Sequence, residues 1–180
     1  MTRWVRESRD ARDLVRSLAL LEPALVASVP SGATFWEEVA RIESTYERGD
    51  RAGATDAFLA GVLGPEYRQL LEKFLPPGAF ELAVADIDTL FQVELEALRK
   101  WSFTAEDAAR IGQPVLAVIG DESEPIFHEV HSVLRQWIPH VEELVVPQAN
   151  HALEYINPSA VADGLARFLA KTAQRERTPS

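Results

Sequence analysis

Apolar residues along this 180-residue chain fall into three blocks with different periods. In the first, a charged lead-in that reads as a short helix precedes the compact run Val15 to Leu21. That run stops at Glu22-Pro23, where the proline blocks helix continuation, and it reads as a buried strand. From about Thr34 to Ala109 the period changes to three and four, with Phe80, Val84, Ile87, Phe91, Leu95 and Leu98 recurring along one helical face. Gly64-Pro65 and Pro76-Pro77-Gly78 cut this block into separate helices. Thr34 with Glu37 predicts a capping box at its start. Thr104 with Asp107 predicts another near its end, opening a short helix that Gly112-Gln113-Pro114 closes.

The third block returns to short apolar runs. VLAVIG follows Pro114, a helix is expected near Pro125 to Trp137, a second run covers Val141 to Val146, and after a loop to His151 a last helix runs from about Asn157 to Ala170. Strands alternating with amphipathic helices predict an α/β chain with parallel pairing and right-handed crossovers. The expected division is a lead-in helix and first core strand over 1–33, a helical insertion over 34–109, core strands and helices over 110–170, and a polar tail over 171–180 that frays.

In open parallel sheets, chemistry collects in the loops beyond the carboxyl ends of the strands. Three such loops are expected here. They begin at Glu22, at Gly120-Asp121-Glu122-Ser123-Glu124, and at Pro147-Gln148-Ala149-Asn150-His151. The segments LVRSLALLEPAL, QPVLAVIGDESEP and VPQANHALEYINPSAVADGLARFL, in that order, resemble the sixth, seventh and eighth strands of an α/β-hydrolase with their following loops. The helical block from Thr34 to Ala109 sits where that family inserts its cap domain.

The resemblance implies the C-terminal half of the family's fold: a partial parallel sheet with an inserted helical cap. It also implies ester-type or related hydrolysis of a small apolar substrate. His151, on the loop after the last strand, matches the family's proton-accepting histidine, a task suited to imidazole because its pKa lies near neutral. The orienting acid usually stands in a G-x-x-D arrangement after the seventh strand, a register that here gives Gly120-Asp121-Glu122-Ser123, with serine at the expected position. Glu22, at the end of the sixth strand where some members carry the acid, is the first candidate, and Asp121 is the second.

The family's nucleophile elbow, G-x-S-x-G, is missing. Ser31, in Val29-Pro30-Ser31-Gly32, reads as a turn residue. An elbow belongs upstream of LVRSLALLEPAL, so the resemblance implies a chain inactive alone, completed by an N-terminal half that brings nucleophile and oxyanion donors. The alternative is a non-catalytic binding or interaction module derived from a hydrolase. The aromatics Phe35, Trp36, Phe91 and Trp101 are candidates to line an apolar substrate pocket, although aromatics at helical spacing also serve as core.

Composition narrows the partners. A formal net charge of -10, with no Lys/Arg stripe to override it, excludes nucleic acid and anionic lipid surfaces. The absence of cysteine removes disulfides, thiolate nucleophiles and Cys-based zinc sites. His128, His131 and His140 lie on or beside the helix after VLAVIG without an accompanying carboxylate pattern, so neither metal nor cofactor is expected. With no secretory h-region and no run of membrane length, a soluble cytoplasmic protein is expected. Three strands detached from a larger sheet would expose an edge and an apolar face, which predicts a homo-oligomer or a complementing half.

Overall fold

The structure is a computed structural model and describes residues 14–177. The expected lead-in helix lies outside the described residues. The chain runs through strand β1 (Leu18–Leu21), a 3-10 turn (Val26–Ser28), and helices α1 (Gly32–Glu47), α2 (Arg51–Leu63), α3 (Tyr67–Phe74), α4 (Ala79–Ala85) and α5 (Ile87–Thr89). A π-helical turn (Leu90–Glu94) leads directly into α6 (Leu95–Lys100), and α7 (Ala105–Ala108) follows. Then come β2 (Val115–Gly120), α8 (Pro125–Trp137), β3 (Glu142–Val146), α9 (Leu153–Ile156) and α10 (Pro158–Arg177).

The three strands form one parallel sheet in the order β1-β2-β3, with Leu18 opposite Val115 and Leu116 opposite Glu142. All six residues of the central strand are buried, which is why it reads as an unbroken apolar run. Alternate side chains serve opposite faces. Val115 and Ala117 join Leu18 and Leu20 against Val130 and Leu134 of α8, while Leu116 and Val118 join Val146 against Leu153, Val161 and Phe168. Each such side chain contributes roughly 1.5–3 kcal/mol by leaving water. The first strand is shorter than the apolar run that predicts it, because its ladder begins only where the Leu18 amide meets the Pro114 carbonyl at 2.9 Å.

The entire helical block is the connection between β1 and its neighbour β2. Val39, Ile42, Ala54, Ile87, Phe91 and Leu95 form its own apolar cluster. Ile87, Phe91 and Leu95 of the expected stripe are therefore core, whereas Phe80 lies beneath the Arg68 guanidinium, 4.0 Å from ring centroid to Cζ.

Two expected boundaries shift. Helix α1 starts at Gly32 rather than at a Thr34 cap. The Ser31 amide and hydroxyl both donate to the Glu129 carboxylate of α8, at 3.0 and 2.5 Å, and the Gly32 amide bonds the Val29 carbonyl. A Cβ at Gly32 would stand 1.9 Å from the Val26 carbonyl oxygen, so this tight entry needs glycine. Helix α10 continues past the expected fraying point at 171. Thr172 is buried with its hydroxyl on the Phe168 carbonyl, and Lys171 pairs with Glu142 of β3 at 2.7 Å. The Thr104–Asp107 capping box is present as expected.

Within the helical block, Tyr67 is buried and donates its hydroxyl to Asp56, which Arg68 also contacts. Burial, and then the hydrogen bond to Asp56, push the Tyr67 phenol up to about 12. The folded state thus keeps a proton that the unfolded chain gives up near the ordinary phenol value of 10.0. The resulting stability is complete below pH 10 and is lost as pH rises towards 12. Phenolate absorbance of the wild type minus that of Tyr67→Phe is expected to show a step near pH 12, and the wild type's advantage in urea is expected to shrink across pH 10 to 12. A step at pH 10 would contradict the burial argument.

Candidate active site

Glu22 terminates β1 with its amide still in the ladder, donating to the Val118 carbonyl at 3.1 Å. Its φ of 41° lies in the left-handed region, which a non-glycine residue enters at a cost of order 1–2 kcal/mol. Gln148, on the loop after β3, has φ 56°. Both backbone departures lie in segments that carry the same polar pair.

The Glu22 side chain is only 1% exposed. Its Oε1 accepts from the Gly120 amide at 2.8 Å and from the Ser123 hydroxyl at 2.5 Å, and its Oε2 lies 2.6 Å from His151 Nδ1. Polar oxygens at this depth need such donors around them. Facing that carboxylate, Nδ1 carries the ring proton, which leaves Nε2 as a bare lone pair when the imidazole is neutral. Among the described residues Nε2 has no hydrogen-bond partner, and the His151 side chain is 29% exposed. Phe127, in the first turn of α8 after Pro125, stacks on the imidazole with centroids 4.1 Å apart and planes 14° apart.

The loops after β2 and β3 are laced together. The Asp121 amide donates to the Val146 carbonyl, the Glu122 amide to the Ala149 carbonyl, and the Ala149 amide to Asp121 Oδ1 at 3.3 Å. Of the two candidate acids, the structure thus brings Glu22 to the imidazole and turns the Asp121 carboxylate to the loop backbone. Ser123, at the position where the sequence register expects an acid, supports the Glu22 carboxylate. The approach of Ala149 requires Gly120, since a Cβ there would lie 2.1 Å from the Ala149 oxygen. Asn150 reaches the other way and donates to the Leu63 carbonyl at the end of α2, at 2.8 Å.

His151 opens onto a cavity of about 510 Å³ between the sheet edge and the helical block. Pro23, Val26, Ile126, Phe127 and Val130 line its sheet side; Phe35, Phe58, Val62, Leu90, Val93 and Leu98 line its helical side. Of the four aromatics expected to line a pocket, Phe35 does so. Trp36 packs edge-on against Phe35 and under Arg99, Phe91 stacks on Tyr46 in the core of the helical block, and Trp101 stacks on Phe103 beside the sheet. The wall is mainly aliphatic. Its signal is a second stripe, Leu90, Val93 and Ala97, offset from the buried stripe of the same helical segment.

Of the other histidines, His131 meets Glu143 and His140 the Gln113 carbonyl, both at 2.9 Å. Among the described residues no cluster of side chains fits a metal ion. Nor is any helix among them long and apolar enough to cross a membrane.

No protein-family model and no curated protein matches the sequence. Solved structures do. A Mycobacterium tuberculosis H37Rv protein assigned as a non-heme bromoperoxidase, BpoC, superposes with TM-score 0.61 and 18% identity over 95% of this chain. A Bacillus subtilis protein assigned as a hydrolase gives 0.59 and 17% over 92%, and E-2-(acetamidomethylene)succinate hydrolase gives 0.53 and 19% over 93%. The chain has the α/β-hydrolase fold. It spans 63%, 56% and 62% of those three structures, respectively.

Two outcomes test this site. Gly120→Ala is expected to cost more than about 3 kcal/mol in urea unfolding, because the displaced neighbour is backbone rather than a flexible side chain. Long-range ¹⁵N NMR is expected to find His151 as the Nδ1–H tautomer in the wild type and as a mixture in Glu22→Gln. An unchanged tautomer in that variant would show that the carboxylate does not set it.

Proposed function

We propose that this chain supplies the acid–base half and the apolar substrate wall of an ester-type hydrolase acting on a small apolar substrate. The observation that carries the proposal is the buried Glu22–His151 pair, whose free Nε2 opens onto the apolar cavity. In this reading a hydroxyl nucleophile on a complementing segment gives its proton to Nε2 as its oxygen adds to the substrate carbonyl. The imidazolium, held by Glu22, then returns that proton to the departing alkoxide. Water repeats the cycle on the acyl intermediate and regenerates the hydroxyl. The oxyanion donors come with the same complementing segment, as the sequence contains no G-x-S-x-G.

A second reading is a binding module derived from such an enzyme. The observation favouring it is that the Ser31 hydroxyl, in the tight turn after β1, is committed to Glu129 and faces no substrate.

Short-chain p-nitrophenyl esters separate the two. Turnover and fluorophosphonate labelling are expected only when a G-x-S-x-G segment accompanies the chain. In that complex His151→Ala is expected to lower kcat by about 10³–10⁴-fold while leaving binding in the cavity unchanged. Equal turnover with and without His151 would overturn the catalytic reading.

A further inference from the structure

The cavity beside His151 carries an unbalanced charge. Among the described residues its lining includes two carboxylates, Glu22 and Glu94, and no lysine or arginine. Glu22 is internally compensated by its three donors. Glu94, at the end of the π-helical turn, is exposed and has no hydrogen-bond or ion-pair partner among the described residues. Four cations of the helical block pair with other acids: Arg51 with Asp88, Arg68 with Asp56, Arg99 with Glu43 and Glu96, and Lys100 with Glu96.

Neighbouring Val93 and Leu90 supply apolar surface to the same wall, and Val93 is 60% exposed for want of any covering side chain. A ligand there meets hydrocarbon and then a single negative charge. An anion would lose its hydration beside that charge without gaining a cationic partner, whereas an ammonium would gain one.

We infer that Glu94 is a specificity-determining residue, selecting apolar ligands that end in an ammonium group and rejecting those that end in a carboxylate. The inference rests on the reading of this cavity as the substrate site and names the class of substrate it takes.

The test compares octylammonium, 1-octanol and octanoate, three probes with the same chain and different ends, by calorimetry on the intact polypeptide at neutral pH. Octylammonium is expected to bind at least about tenfold tighter than octanoate, with 1-octanol between them. Glu94→Gln, a surface substitution, is expected to bring octylammonium and octanoate to within about threefold of each other while leaving 1-octanol unchanged. High salt is expected to narrow the wild-type gap in the same way. Equal affinity of the three probes for the wild type, or a gap that survives Glu94→Gln, would overturn the selectivity while the cavity remains a ligand site. Failure of 1-octanol itself to bind would overturn the cavity reading and the inference together.

Discussion

A carboxylate withdrawn from water must be repaid by the groups around it, and Glu22 shows how far that requirement shapes this fold. Its two oxygens take donors from the central strand, from the loop that follows, and from the loop after the last strand. Each donor holds its own backbone in place. The Gly120 amide can point at the carboxylate because no side chain keeps the Ala149 loop away, and that loop carries the imidazole. Removing the acid would therefore leave an amide, a hydroxyl and a ring nitrogen without their partner at the only place where all three strand ends meet.

The helical block completes what the sheet begins. A sheet edge alone offers the pair to bulk water, where general-base chemistry is weak and apolar substrates have no reason to stay. The excursion between β1 and β2 places hydrocarbon opposite His151, and it packs on a cluster of its own rather than borrowing the sheet's core. The core of the sheet and that of the helical block are thus separate apolar clusters, with the cavity between the layers they support.

Much of this was legible from residue order. The strands were marked by apolar runs ending at Glu22-Pro23 and starting after Pro114, and α8 by Pro125 at its first position. The His151 loop followed from the strand before it. Residue order ranks Glu22 ahead of Asp121, but not what holds the two apart, a left-handed backbone at Glu22 and the Ala149 amide on the Asp121 carboxylate, both tertiary effects. The pocket wall was misjudged for a related reason. Trp36, Phe91 and Trp101 were expected to meet ligand, but large rings fill the space between helices more effectively than the aliphatic stripe beside them. The π-helical turn that carries residues of both stripes leaves no mark in the spacing of residues.

The hydrogen bond that the Asn150 side-chain amide donates to the Leu63 carbonyl joins the end of α2 to the residue before His151. A helix end leaves carbonyls without partners, and this one is satisfied by the loop that holds the imidazole rather than by solvent. The roof of the cavity and the orientation of the ring are consequently one mechanical unit. Loss of the Asn150 side chain would therefore be felt twice, at the end of α2 and in the loop that carries the ring.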